Sequence, residues 1–339
     1  MTKGWNPHSD MPDMKGKVAV VTGGNAGIGL QTVKHLATKG AKVYFTARSE
    51  AKAAYTTDYI LSKNTGVSES QLVWLNLDLG DMKSVMRAVE ELKAKEQAID
   101  ILVNNAGILL KELETTDAGW EMVMAVCHIG HFAFTNGILP LLKKAASRPG
   151  SDMRIVTVSS SVTYAFFPPN YQFDFTSPAF LSGTLPYEPW QWRYLQKHFF
   201  TVDMIRYSMA KLANLLFAQE LQRRLDEQGS SIISLSVHPG SVQSTSALDI
   251  FSGVMKPVMR RVMVTEDVGS FTLCFGATAK EVREKPDTFK GKYVEPVGEV
   301  KIAHIVANDM KQVQGLWDNT SKEVNKYLVK EGYAPLLNW

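Results

Sequence analysis

Cysteine is scarce in this chain. Cys127 and Cys274 are the two present. They lie far apart in apolar surroundings and in no metal-ligand spacing. We therefore expect two buried free thiols, a reducing compartment, and neither a disulfide framework nor a metal site. Net charge is also small. Lys and Arg number 37 against 34 Asp and Glu, a net charge of +3, which argues against nucleic acid or an acidic macromolecule as partner. No run approaches the roughly 20 apolar residues of a transmembrane segment. The stretch from Met1 to Met14 is polar and broken by prolines, without the apolar centre of a secretory signal. No repeat recurs at a period of about 20–50 residues. These absences leave a cytoplasmic globular protein as the expectation, with homo-oligomerisation left open. The content of 45% hydrophobic and 21% charged residues is ordinary for such a chain, and 339 residues can bury a substantial core without covalent staples.

Two kinds of segment alternate. Short runs rich in Val, Ile and Leu occupy 17–22, 41–47, 71–77, 99–104, 154–159, 231–237 and 292–294. They lack clear polar–apolar alternation, as strands buried on both faces do. Helical patterns lie between them at 28–39, 50–63, 81–95, 117–146, 202–227 and 265–279. The alternation predicts an α/β, doubly wound fold with a seven-stranded parallel sheet. The whole chain reads as one domain, 1–339, with its core at 15–295 and a helical tail at 300–339. Two segments interrupt the rhythm. Residues 162–200 form an insertion dense in aromatics and prolines, among them Phe166, Phe167, Tyr171, Phe173, Trp192 and Phe200. It is too aromatic for a linker, and it reads either as a substrate wall or as a self-packed subdomain or oligomer contact. Residues 245–264 read as an apolar and basic lid loop, with Phe251, Val254 and Met255 as its apolar candidates.

The first strand runs into Thr22-Gly23-Gly24-Asn25-Ala26-Gly27-Ile28-Gly29 and a helix. Glycines permit a tight turn and close backbone approach. The helix start then offers free N–H groups and a positive dipole end to a pyrophosphate. This makes Gly23, Asn25, Ala26, Gly27, Ile28 and Gly29 candidate dinucleotide-binding residues of a Rossmann fold. At the end of the second strand an NAD site usually carries a carboxylate. Here the strand ends Phe45-Thr46-Ala47-Arg48. A guanidinium suits a 2′-phosphate, so NADP(H) is the expected cofactor. Asp78 and Leu79 follow the third strand, where a carboxylate can accept from an adenine amino group. Asn105, Ala106 and Gly107 follow the fourth, where a turn can pass close to the ribose.

Tyr207 and Lys211 are four positions apart on a strongly predicted helix, and so share one face. A nearby ammonium and a positive nicotinamide ring would both favour the phenolate below its usual value near 10, which suits the phenol to exchange a proton with an alcohol oxygen.

Together these motifs resemble the short-chain dehydrogenase/reductase superfamily over about residues 15–295. Tyr207-Ser208-Met209-Ala210-Lys211-Leu212-Ala213-Asn214 and Val237-His238-Pro239-Gly240-Ser241-Val242-Gln243-Ser244 resemble its branch of retinol dehydrogenases, WW-domain oxidoreductase-like proteins and fungal reductases. The resemblance implies hydride transfer between NADP(H) and a carbonyl or alcohol of a hydrophobic small molecule, such as a terpenoid, polyketide, steroid or retinoid-like compound. It implies Ser160, Tyr207 and Lys211 as catalytic, with Ser159 or Ser161 as alternatives to Ser160. It also implies that Pro239, Gly240, Val242 and Ser244 hold the nicotinamide end, while Lys211 holds the ribose. One position departs from the pattern: Val126-Cys127-His128 puts Cys127 where the family usually has an asparagine that helps hold a relay water. A thiol cannot reproduce an amide's hydrogen bonds. The alternative reading is thus a catalytically impaired, cofactor-binding regulatory or interaction protein of the same fold. His128 and His131 read as structural.

Overall fold

The computed structural model describes residues 4–63, 66–165, 171, 173–243, 255–302 and 304–337. Its strands are β1 Val18–Val21, β2 Lys42–Ala47, β3 Leu72–Asn76, β4 Ile101–Asn104, β5 Arg154–Val158, β6 Ile233–Val237, β7 Tyr293–Glu295 and β8 Glu299–Lys301. They form a single sheet in the order β3-β2-β1-β4-β5-β6-β7-β8. All neighbours pair in parallel except β7 and β8. The expected seven-stranded parallel sheet is therefore corrected to eight strands, the last antiparallel. Three residues, Pro296 to Gly298, connect β7 to β8, and Gly298 has φ +84°. Such a short loop can only form a hairpin. Its second strand is brief, charged and at the sheet edge, so it carries no apolar signature.

Among the described residues, nine helices have eight or more residues: α1 Gly27–Thr38, α2 Glu50–Lys63, α3 Met82–Lys95, α4 Gly130–Ala146, α5 Trp190–Phe199, α6 Met204–Glu227, α7 Met255–Val262, α8 Glu266–Thr278 and α9 Met310–Lys330. One apolar layer lies between the sheet and α3, α4, α6 and α9, and a second between the sheet and α1, α2 and α8. The sheet is thus covered on both faces, which explains why its strands read as continuous apolar runs. Strand order reverses between β1 and β4, and the carboxyl ends of these strands open the crevice where such folds bind ligands.

One helix, Met122–Ala146, has the length and hydropathy of a membrane span, but 89% of its apolar window is buried within the molecule. Its composition reflects packing against the sheet. Residues 255–262 were expected as loop and form α7 instead. The N-terminal stretch, outside the expected core, also packs: Asn6 caps a short helix Pro7–Asp10, Met11 and Met14 are buried, and Trp5 meets Phe275 edge-on.

The two ends of the aromatic insertion, Val162 and Phe200, reach the crevice, and its described middle packs elsewhere. Tyr171, Phe173, Phe175, Phe180 and Trp192 are buried in the core. Phe175 is clasped from α9, its N–H donating to Gln312 Oε1 (2.6 Å) and its carbonyl accepting from Asn319 Nδ2 (3.0 Å). Phe173 packs against His304. These residues follow the self-packed alternative. Phe166, Phe167, Phe251 and Val254 lie outside the described residues.

Candidate active site

A cavity of about 650 Å³ opens at the carboxyl ends of the strands. The turn from β1 into α1 forms one end. The N-cap residue Ala26 contributes no side-chain hydrogen bond, and α1 has no acidic residue in its first turn. The helix start is therefore available to an anion. Gly23, Asn25, Ala26, Gly27 and Ile28 line the cavity. Gly29 lies behind the turn: a Cβ there would meet Gly23 O at 2.3 Å and Asn105 Nδ2 at 2.5 Å. Gly29 packs close under the turn and is not among the residues that line the cavity.

One hydroxyl ties this turn to its neighbours. Thr22 Oγ1 accepts from Asn105 N (2.9 Å) and Ala106 N (3.0 Å) and lies 2.7 Å from His131 Nε2. Asn105 Nδ2 donates back to Thr22 O (2.8 Å). His131 Nδ1 lies 2.9 Å from the Cys127 carbonyl, which can only accept. The pattern assigns Nδ1–H to His131 and leaves Nε2 to accept the Thr22 proton. Burial lowers His131 to about 4, consistent with a neutral ring. His128 is buried likewise, with Nε2 3.1 Å from Thr320 Oγ1 on α9.

Arg48, Asp78, Leu79, Asn105, Ala106 and Gly107 also line the cavity. Arg48 is exposed at its rim, and Lys52, one turn into α2, stands on the same wall. Asp78 Oδ1 accepts from Gly80 N (2.9 Å).

At the other end, α6 presents Tyr207 and Lys211 side by side. Lys211 Nζ is 5.6 Å from the Tyr207 ring centroid. Lys211 Nζ (3.1 Å) and Asn214 Nδ2 (2.9 Å) both donate to the Val158 carbonyl, which anchors the helix on the end of β5. The three serines after β5 divide. Ser159 is buried and its Oγ donates to Lys211 O at 2.6 Å, so its hydroxyl is committed. Ser160 and Ser161 are half-buried on the cavity wall. Burial pushes the Tyr207 phenol up and the Lys211 ammonium down. This differs from the expected lowering of the tyrosine: desolvation raises it first, and the neighbouring Cys127 raises it further. Pro239, Gly240 and Val242 line the wall opposite, and Ser244 lies outside the described residues.

The family model for short chain dehydrogenases matches residues 17–171. The short chain dehydrogenase/reductase dpchH of Colletotrichum higginsianum is 42% identical over 316 residues, spanning 93% of this chain and 77% of that one.

The chain belongs to the short-chain dehydrogenase/reductase family.

Human retinol dehydrogenase 11 is 36% identical over 231 residues, 68% of this chain and 63% of that protein. The fold is shared with the NADPH-bound carbonyl reductase from chicken fatty liver at a TM-score of 0.57 and 22% identity, covering 85% of this chain and 99% of that chain.

In this short-chain dehydrogenase/reductase, Cys127 sits in a turn of π-helix, Ala125–Ile129, that leads into α4. Its thiol is fully buried, 3.9 Å from Ile108 O, and burial raises its pKa. Burial keeps it a neutral packing group, although the nearby Lys211 ammonium opposes that shift. Sequence reasoning missed Lys52, His238, Met263 and Glu266, which all line the cavity. Lys52 was legible one turn beyond Arg48. Met263 lies within the expected lid segment 245–264 but was not singled out, and Glu266, at the start of α8, carries no local signal.

Proposed function

We propose that this chain transfers a hydride between NADP(H) and a carbonyl or alcohol carbon of a hydrophobic small molecule. The observation that carries the reading is the convergence of Ser160, Tyr207 and Lys211 on the same cavity as the glycine-rich turn and Arg48. The residues fit the cofactor class. The helix start without a side-chain cap suits a pyrophosphate, and Arg48 with Lys52 suits a phosphate on the adenosine ribose. When bound, the nicotinamide supplies or takes the hydride.

The protein's own groups handle the proton and the oxygen. Ser160 and Tyr207 donate hydrogen bonds to the substrate oxygen, where charge develops in the transition state. Tyr207 gives that oxygen its proton in reduction and removes it in oxidation. A phenol held neutral by burial is ready for the reductive direction. Lys211, fixed on the Val158 carbonyl, orients the cofactor ribose and restrains the phenolate once it forms. Val162, Phe200, Met204 and Met263 make the adjoining wall apolar, in keeping with a hydrophobic substrate.

The test is Tyr207→Phe, assayed at the nicotinamide absorbance against hydrophobic ketones and aldehydes. Turnover is expected to fall by about 10²–10⁴-fold with NADPH binding retained. A variant that kept full turnover would overturn the mechanism. If the wild type bound NADPH but turned over no member of the panel, a regulatory role would take its place.

A further inference from the structure

On the face of the molecule behind α1, three side chains from distant parts of the sequence meet. His8 comes from the N-terminal helix, His35 from the last turn of α1, and Asp267 from the first turn of α8. Their ligand atoms all lie within 4.8 Å of one another. We propose that His8, His35 and Asp267 form a binding site for one divalent transition-metal ion of the zinc class, clamping the N-terminal segment to α1 and α8.

The geometry is close to that of an open tetrahedral site. Metal–nitrogen and metal–oxygen bonds of about 2.0–2.2 Å put tetrahedral ligand atoms roughly 3.3–3.5 Å apart. His8 Nε2 lies 3.4 Å from Asp267 Oδ2, and His35 Nε2 lies 3.1 Å from Asp267 Oδ1. The two imidazoles are edge to face with centroids 4.7 Å apart, and closing on one ion requires a turn of His8. His8 can make it, since its side chain is 58% exposed. Two imidazoles and a carboxylate, with a fourth position for water, are a donor set that suits zinc.

Orphaned polarity points the same way. His35 is 4% exposed, and its Nε2 lies 3.1 Å from Asp267 Oδ1, at ion-pair distance but outside hydrogen-bond geometry. A buried imidazole nitrogen set close to a carboxylate oxygen without good hydrogen-bond geometry is an arrangement a cation can satisfy. The surroundings are also prepared. The His8 backbone is fixed on both sides, its N–H donating to Asn6 Oδ1 (2.9 Å) and its carbonyl accepting from Lys39 Nζ (3.0 Å). Phe271 flanks both rings with centroids at 6.0 Å, shielding one side from water. Lys34 Nζ holds Asp267 Oδ1 at 2.8 Å, which leaves Oδ2 for the metal but also makes the ammonium a competitor. The clamp matters to the cavity, because α1 begins at the glycine-rich turn and α8 begins at Glu266 on the cavity wall.

The test uses the full chain, freed of metal by a chelator and titrated with Co²⁺. One equivalent is expected to bind with the visible absorption of four-coordinate cobalt, to be displaced by Zn²⁺, and to raise Tm. His8→Ala, at an exposed position, is expected to weaken Co²⁺ binding by more than the roughly 10–100-fold that loss of an outer-shell partner costs, and to abolish the Tm rise. Lys34→Met is expected to bind Co²⁺ more tightly, since a competing cation is gone. Absence of the absorption band, an unchanged affinity in His8→Ala, or weaker binding in Lys34→Met would each overturn the site. None of these readouts depends on oxidoreductase activity.

Discussion

Thr22 Oγ1 and His131 Nε2 lie 2.7 Å apart between β1 and α4, and that contact completes the hydroxyl's hydrogen bonding. Thr22 also accepts from the N–H groups of Asn105 and Ala106, so one side chain joins the first two cofactor-side turns to the helix carrying Cys127. Thr22→Val keeps the shape and strands both backbone donors. At about 1–3 kcal/mol for each buried unsatisfied group, a loss of about 2–4 kcal/mol is expected in urea unfolding, together with weaker NADPH binding. A neutral result would remove Thr22 from the architecture of the site.

Ser159 and Ser160 are adjacent and should behave differently. Ser160→Ala removes a hydroxyl from the cavity wall. It is expected to reduce kcat by at least about tenfold, with stability within roughly 0.5 kcal/mol of wild type. Ser159→Ala removes a buried donor to the Lys211 carbonyl. It is expected to cost about 1 kcal/mol of stability and to impair kcat only through displacement of α6. Measuring kcat and the denaturation midpoint for both variants distinguishes the roles; the reverse pattern would move the function to Ser159.

Arg48 and Lys52 share the rim of the cavity. If they receive a ribose phosphate, Arg48→Ala should weaken NADPH by about 10–100-fold, the worth of about 1.5–3 kcal/mol for hydrogen bonds to a charged group. NADH should be almost unaffected. Lys52→Ala should give a smaller loss in the same direction, and both effects should shrink with added salt. Equal losses for the two cofactors would contradict the assignment.

Acid should destabilise the fold through its buried imidazoles. Burial lowers His128 to about 3, and His131 and His238 to about 4, from 6.5. Each folded-state value is depressed below its unfolded one. The stabilisation from neutral rings is therefore present above 6.5 and lost as pH falls toward 4, because the unfolded chain takes up protons the folded chain refuses. The slope approaches about 1.4 kcal/mol per pH unit for each histidine. Urea midpoints should drop steeply between pH 6.5 and pH 4.5, less steeply in His128→Phe. A flat profile would mean that these rings are solvated.

The parts of the site that were legible in the sequence are those held by local chemistry. The glycine-rich turn and the four-residue spacing of Tyr207 and Lys211 each rest on residues within one or two turns of one another. Arg48 was legible for the same reason, as the end of a strand whose alternation with helices could be counted. The aromatic insertion was not. Its composition fits a substrate wall as well as a core, and only the tertiary structure puts Phe175 against α9 and Phe200 on the cavity.

The chain's residues by themselves determine a covered, mostly parallel sheet with an anion-binding turn after its first strand, because apolar run length and backbone freedom act over a few positions. Tertiary structure alone decided the rest. It committed the Ser159 hydroxyl to Lys211, gave His131 its tautomer, added the antiparallel edge strand, raised rather than lowered the Tyr207 phenol, and brought His8, His35 and Asp267 together. Each of these depends on burial or on partners up to 259 positions away, and desolvation and pairing exist only once the chain has closed on itself.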